Sequence, residues 1–81
     1  MESLKIEKTK TTPRIDFDAK FHTLSISGDV YPENVEKFFN PIFEWLQRYL
    51  SSLHHKCIVS FYLSYFNTAA SGRISGILEL L

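Results

Sequence analysis

A long amphipathic segment, residues 31–53, places the strongest constraint on how this chain folds. Its apolar side chains recur at helical spacing, and polar residues fill the opposite face. The stripe consists of Val35, Phe38, Phe39, Ile42, Leu46, Tyr49, Leu50 and Leu53, with Trp45 at its edge. Because strand patterns lie on both sides of this segment, it is predicted to be the helix of a strand–helix–strand unit.

Pro41 lies inside the segment, where a proline removes one helical hydrogen bond at a cost of about 3 kcal/mol. The apolar stripe nevertheless continues across Pro41 in register, and Pro41 shares the polar side with Lys37, Glu44 and Arg48. Water can satisfy the carbonyl group that loses its donor. The pattern therefore predicts one helix with a bend at Asn40–Pro41, not two helices.

Three other segments carry strand patterns, and a fourth, at the N-terminus, has two possible interpretations. Residues 14–18 and 23–27 alternate apolar and polar side chains and are joined by a short link, which predicts a β-hairpin. Residues 1–13 are mostly polar and form either a frayed strand or a late-docking tail, with Pro13 marking the entry to ordered structure. Residues 55–66 are apolar on both faces, with Tyr65 assigned to one face and Phe66 to the other. This pattern predicts a central strand, covered on both sides or on one side plus a partner, and parallel to an earlier strand.

A second helical stripe begins at Thr68 and contains Ala70, Ile74, Ile77, Leu78 and Leu81. The pattern is still helical at Leu81, so we expect more protein beside it, from a longer domain or another copy. The exposed stripe predicts an apolar patch and self-association. Together the segments predict an α/β fold in one domain, residues 1–81, in which a hairpin and a βαβ unit form a mixed sheet with packed helices.

Composition excludes several classes of function. Nine basic residues balance nine acidic ones, which argues against a nucleic-acid partner. No apolar run is long enough to span a bilayer, and the first residues lack a signal-peptide core, so the cytoplasm is the expected location. The single cysteine cannot form an intramolecular disulfide. No membrane and no cofactor is predicted.

Candidate catalytic and metal-binding groups have simpler interpretations. His54 and His55 would point to opposite faces of a strand, and no second cluster offers zinc ligands, so no metal site is predicted. Cys57 could be a nucleophile, but a cysteine on a buried strand is more often a small apolar residue that packs in the core. Asp16 and Asp18 fit the solvated face of the hairpin. The hypothesis of an enzyme that uses Cys57 or the histidines therefore ranks third, behind two hypotheses in which the chain binds another protein.

Thr68 is the residue with the strongest functional interpretation. Either Asn67 or Thr68 could cap the second helix, and capping alone would explain both residues. The alternative is that another protein modifies the hydroxyl of Thr68, which follows the carboxyl end of a strand. Ala69, Ala70, Ser71 and Gly72 are small enough to leave that hydroxyl accessible. Arg73, about one turn along, could reach back to a phosphate.

Two motifs at matching spacing resemble the SiaC-like regulatory phosphoproteins of bacteria, over nearly the whole chain. Residues 27–50 carry a glycine, a Tyr-Pro-Glu-Asn, a phenylalanine pair, a proline, then Trp-Leu and Tyr-Leu. Residues 65–71 carry Tyr-Phe-Asn-Thr and small residues, and a Thr-Thr-Pro at 11–13 also fits. Family members continue past the second helix, so this chain is similar to their N-terminal portion. They also often have a lysine where Gly72-Arg73 stands here.

The resemblance implies a fold similar to the STAS domains of anti-sigma-factor antagonists, and a protein switch that is not an enzyme. A Ser/Thr protein kinase would phosphorylate Thr68, and a metal-dependent phosphatase would remove the phosphate. The unmodified form would bind and activate a diguanylate cyclase, linking the switch to cyclic-di-GMP signalling and biofilm formation. The alternative left open is a constitutive interaction module in which Thr68 stays unmodified.

Overall fold

The structure is a computed structural model, and it describes residues 2–52 and 56–81. Within these residues the chain forms four strands and two helices. In chain order they are β1 (Leu4–Ile6), β2 (Arg14–Asp18), β3 (Thr23–Val30), α1 (Val35–Ser52), β4 (Ile58–Phe66) and α2 (Thr68–Leu80). None of the described helices is both long and apolar enough to cross a membrane.

The sheet is mixed and its strands follow the order β1-β2-β3-β4. β2 pairs with β3 antiparallel, as the predicted hairpin requires, and β1 adds an antiparallel strand in front of them. The tail is therefore a paired strand, and ordered structure begins before Pro13. β4 pairs with β3 parallel, and α1 makes the connection. Both the α/β class and the βαβ unit are confirmed.

α1 begins where Asn34 supplies a cap, since the Asn34 Oδ1 accepts a hydrogen bond from the Lys37 backbone amide at 3.0 Å. Pro41 is exposed and lies within the continuous helix. The prediction of one helix across Pro41 is confirmed. Its start lies four residues after Tyr31, and the predicted end at Leu53 lies outside the described residues.

One face of the sheet packs against the two helices. Every second residue of β2 and β3 points into this layer, as expected for a half-buried antiparallel pair. Trp45 packs against Phe17 and stacks on Tyr49, with ring centroids 5.3 Å and 4.8 Å apart. The buried set is Ile15, Phe17, Leu24, Ile26, Val30, Phe39, Ile42, Leu46, Tyr49, Ala70 and Ile77.

The opposite face of β1 to β3 is polar. Asp16 lies 3.2 Å from the Lys5 ammonium and 3.7 Å from the Arg14 guanidinium, and all three side chains are partly exposed. Exposed ion pairs of this kind contribute little to stability. The prediction that Asp16 and Asp18 lie on the solvated face is confirmed.

The turn between β2 and β3 depends on Asp18. Its Oδ1 accepts hydrogen bonds from the backbone amides of Phe21 and Lys20, at 3.0 Å and 2.9 Å. These bonds, with the Phe21 amide as the largest cause, lower the pKa of the Asp18 carboxyl. His22 closes the turn with a φ of 57°, the left-handed conformation that turns commonly require.

Within the described residues β4 lies at the edge of the sheet, so the prediction of a central strand is wrong for this part of the chain. β3 is its only strand neighbour among the described residues. Ile58 and Tyr62 on the open face are 67% and 68% exposed, whereas Phe61 and Leu63 are half-buried against the core. Apolar side chains on both faces indicate that a strand has apolar surface to bury on both sides. Here β3 and the helices bury only part of the apolar surface of β4.

A register shift between β3 and β4 also changes the face of Tyr65. Gly28 pairs with Leu63, but the next residue, Asp29, pairs with Tyr65, which leaves Ser64 as an extra residue. Tyr65 therefore shares the open face with Asp29, and its ring meets that of Tyr31 edge-on, with centroids 5.6 Å apart. Strict alternation placed Tyr65 on the core face, which is wrong.

α2 buries more of its stripe than predicted. Ile77 is 1% exposed and Ala70 is 0% exposed, so the expected exposed stripe is reduced to Leu78 and the residues that end the chain. Packing explains why glycine occupies position 76, because a Cβ atom there would lie 3.1 Å from the Phe43 ring. The helix therefore approaches α1 closely at this point.

Candidate functional site

The candidate site lies at the edge of the sheet where the two parallel strands end. β3 ends at Val30 and β4 at Phe66, and the Asn67 amide donates a hydrogen bond to the Val30 carbonyl oxygen at 3.2 Å. Both helices follow these strand ends in the chain. In open α/β sheets this carboxyl edge is where ligands and partners are met.

Asn67 is the cap of α2. Its backbone is extended, with φ −85° and ψ 176°, and its Oδ1 accepts a hydrogen bond from the Ala70 amide at 2.9 Å. Its carbonyl oxygen accepts from the Ser71 amide, also at 2.9 Å. These are the two functions of a cap residue: its side chain accepts a hydrogen bond from a free amide, and its carbonyl oxygen accepts the first backbone hydrogen bond of the helix.

Thr68 is the first residue of α2, and its side chain is exposed. Throughout the described part of the chain, no group forms a hydrogen bond with its hydroxyl. The hypothesis that Thr68 itself caps the helix is therefore wrong, because Asn67 already fills that position. The hydroxyl performs no structural task and faces solvent.

The neighbours of Thr68 differ in what they contribute. Ala69 and Gly72 are exposed, and a Cβ atom added to Gly72 would meet nothing within 4 Å. Ser71 is half-buried, whereas Ala70 points into the core. The accessible surface beside the hydroxyl thus consists of Ala69 and Gly72, and Ala70 serves packing.

Arg73 is already engaged. Its Nη2 lies 3.4 Å from Oε1 of Glu36, so the pair joins the second turn of α2 to the first turn of α1. The side chains are 36% and 74% exposed, which limits the strength of the pair. The predicted reach of Arg73 toward a phosphate on Thr68 would have to compete with Glu36, a residue that sequence reasoning did not connect with this site.

The electrostatic setting of Thr68 favours an added negative charge. It lies at the positive end of the α2 dipole, beside backbone amides that the helix leaves unpaired. No acidic residue lies in the first turn of α2. A phosphate on this hydroxyl would therefore meet favourable local charge without displacing any side chain.

The opposite end of the sheet holds the other titratable cluster. The Nδ1 of His22 lies 2.7 Å from the Tyr49 hydroxyl, with the ring nitrogen able to donate or accept. Burial raises the pKa of the Tyr49 phenol, and the nearby Cys57 thiol adds to the rise. Within residues 2–52 and 56–81 no group of His, Cys, Asp and Glu side chains is placed to hold a metal ion. His54 and His55 lie outside the described residues.

The mixed sheet and the helix pair define a small layered α/β domain with an exposed threonine hydroxyl at the strand ends. The family model described as "SiaC family regulatory phosphoprotein" matches residues 6–81. The chain belongs to this family.

Solved structures and a curated relative support the assignment. Apo-SiaC from Pseudomonas aeruginosa is 34% identical, with a TM-score of 0.94, and the match covers 99% of this chain and 66% of that one. A chain in the crystal structure of the diguanylate cyclase SiaD in complex with its activator SiaC, from the same organism, matches with 34% identity and a TM-score of 0.90, over 95% of this chain and 63% of that one. An uncharacterized protein of Pseudomonas aeruginosa is 35% identical over all 81 residues, which is 64% of its own length. The chain thus spans about two thirds of these relatives.

Proposed function

We propose that this protein is a phosphorylation-controlled binding switch with Thr68 as its phosphoacceptor. The unmodified form binds and activates a diguanylate cyclase, and phosphorylation of Thr68 turns that activity off. One observation carries the proposal: Thr68 is exposed and unpartnered while the adjacent Asn67 caps the helix. A residue with no structural task is free to be modified without cost to the fold.

The local chemistry supports modification at this position. A phosphate adds about −1.5 to −2 charges at pH 7, which the helix N-terminus stabilises. Ala69 and Gly72 place no bulk beside the hydroxyl, so a kinase or phosphatase can approach it closely. A Ser/Thr protein kinase and a metal-dependent phosphatase are the proposed modifying enzymes. The proposed location is the cytoplasm, where the nucleotide substrates of a kinase and a cyclase are found.

The similarity of this chain to SiaC supports a diguanylate cyclase as the effector. SiaC of Pseudomonas aeruginosa is the activator of the diguanylate cyclase SiaD and has been crystallised in complex with it. This chain shares the fold of SiaC over nearly its whole length. We therefore assign it a role in binding rather than catalysis, with a diguanylate cyclase as the partner.

Phosphorylation is expected to weaken binding because a phosphate is costly to remove from water. The unmodified surface around Thr68 is small and neutral, and a partner can bury it at little cost. A phosphate buried without a cationic partner is costly, and Arg73 is held by Glu36. Loss of about 3 kcal/mol of binding free energy corresponds to more than a hundredfold weaker affinity for the cyclase.

The test is the affinity for the cyclase, measured by calorimetry with unmodified protein, with protein phosphorylated on Thr68, and with two variants. Thr68→Ala should bind like the unmodified protein and resist the kinase, as intact mass shows. Thr68→Asp should bind more weakly, though less so than the phosphoprotein. Gln47→Glu adds one negative charge on the exposed side of α1 and is the matched control, expected to bind normally.

Two results would contradict the proposal in different ways. Tighter binding by the phosphoprotein would mean that the partner presents cationic groups to this surface and that the switch has the opposite sign. Equal binding by all forms would favour the alternative, a constitutive interaction module. A phosphorylated residue other than Thr68 would refute the site.

A further inference from the structure

The Glu36–Arg73 pair connects the two helices close to Thr68. The Nη2 of Arg73 lies 3.4 Å from Oε1 of Glu36, and the two residues come from α2 and α1. Arg73 is the only basic residue of α2. It is therefore the one cation that α2 itself can offer to a phosphate on Thr68.

Arg73 cannot pair with Glu36 and with such a phosphate at the same time. Thr68 and Arg73 are five residues apart, which is about 7.5 Å along the helix axis and about 140° around it. Helical side chains lean toward the N-terminus, so Arg73 can extend back over the first turn of α2. To do so it must leave the side of the helix on which it meets Glu36. The carboxylate and the phosphate would therefore compete for one guanidinium group.

The phosphate would be the stronger of the two competitors. Glu36 makes a single contact with Arg73, and the side chains are 74% and 36% exposed, so their pair is weak. Within the described residues the other N–H donors of Arg73 have no acceptor, which leaves them available for the two-pronged contact that phosphate favours. A phosphate also carries about −1.5 to −2 charges at pH 7. Glu36 would thus reduce the pairing of Arg73 with the phosphate without abolishing it.

We propose that Glu36 competes with a phosphate on Thr68 for Arg73, and that this competition makes the switch more complete. The inference rests on the proposed function, since it concerns the phosphorylated form of Thr68. While Arg73 stays with Glu36, the charge of the phosphate is not neutralised, and a partner would bury it at a higher cost. Glu36 is a positioning residue in this scheme, because it acts on the phosphate through Arg73.

Thermal unfolding tests the competition without any partner protein. Phosphothreonine built into position 68 during synthesis also makes the test independent of a kinase. The phosphate should raise Tm by roughly 2–4 °C more in Glu36→Gln than in the parent chain, because Arg73 is then free to pair with it. This excess should vanish in the double variant Glu36→Gln/Arg73→Gln. At a fixed pH the ³¹P resonance of the phosphothreonine should also move in Glu36→Gln, and a merely structural role of Glu36 would not produce that shift.

Glu44→Gln is the matched control. It removes another exposed carboxylate from α1, about two turns further along the helix. The phosphate should change Tm and the ³¹P resonance in Glu44→Gln as it does in the parent chain. If Glu44→Gln and Glu36→Gln give the same excess, general charge explains it and the specific competition is refuted.

Binding to the cyclase gives a second measurement. If phosphorylation weakens binding of the parent chain, Glu36→Gln should recover up to about fivefold of the lost affinity, and Arg73→Gln should recover none. Equal effects of the phosphate on Tm in the parent chain, Glu36→Gln and Arg73→Gln overturn the inference, even where phosphorylation still abolishes binding and the proposed function stands. An excess that persists in the double variant assigns the contact to another cation, such as Lys37, and refutes the role of Arg73. Cyclase binding that ignores the phosphate refutes the proposed function instead, and the Tm shifts still decide the competition.

Discussion

Replacing Asn67 by alanine removes the side-chain cap of α2 and leaves Thr68 in place. The lost contact is the hydrogen bond from the Ala70 amide to Asn67 Oδ1, 2.9 Å long and partly buried. Loss of such a cap costs about 1 kcal/mol, within a range of about 0.5 to 2. In a domain of this size each kcal/mol lowers Tm by about 4–8 °C, so Asn67→Ala should melt about 4–8 °C lower.

Thr68→Ala is the comparison that makes the experiment decisive. Thr68 has no partner to lose among the described residues, and alanine is the better helix former by about 0.5 kcal/mol. Its Tm should therefore stay equal or rise slightly. Asn67→Asp, which retains a capping oxygen, should recover most of the stability that Asn67→Ala loses. Thermal unfolding followed by circular dichroism measures all three variants. If Thr68→Ala melts as low as Asn67→Ala, the assignment of the cap is refuted.

Three further predictions concern other elements. Pro41→Ala should raise the free energy of unfolding by about 1–2 kcal/mol, because Pro41 is exposed inside α1; a lower value in urea unfolding would show that the helix needs the proline. Gly72→Ala should stabilise α2 by up to about 1 kcal/mol, whereas Gly76→Ala crowds the Phe43 ring and should gain less or destabilise; equal Tm changes would contradict this contrast. Folding lowers the pKa of the Asp18 carboxyl. The ionised carboxylate therefore contributes to folding stability above its ordinary pKa of 3.8, and this contribution is lost as the pH falls through the pKa of the folded state. Asp18→Asn should therefore lose less stability than the unmodified chain between about pH 5 and 3, and equal losses would argue against it.

The elements that sequence patterns predicted are those set by local periodicity. The alternation of Ile15 and Phe17 with polar residues is enough to predict β2, since one face meets the core and the other meets water. The stripe of α1 continues across Pro41 because the proline lies on the exposed side. The parallel pairing of β3 and β4 then follows from the helix between them.

Position within the sheet is not a local property, which is why β4 was misplaced. Apolar residues on both faces occur in a buried strand and also in an edge strand whose cover is incomplete, as Ile58 and Tyr62 show. The face of Tyr65 could not be predicted because it depends on one extra residue, Ser64, opposite β3. No residue type within β4 signals such an irregularity.

The sequence suggested the candidate site at Asn67 and Thr68, but it did not show which of the two residues caps the helix. The change from a strand pattern to a helical one predicted a helix start at these two residues, and both residue types cap helices well. Only the extended backbone of Asn67 and its bond with the Ala70 amide distinguish them. The Glu36–Arg73 pair joins residues 37 positions apart, a separation that one sequence does not reveal.

The position of Thr68 at the start of α2 has a consequence for when a phosphate there carries its full charge. A phosphate ester titrates near pH 6, where a small change in acidity would alter its charge. The positive end of the helix dipole and the free amides favour the doubly ionised form, which moves the titration further below neutrality. Modified protein would then carry the same charge over the whole range of pH that a growing cell experiences. The state of the protein would follow the balance of the modifying enzymes and not the acidity of its surroundings.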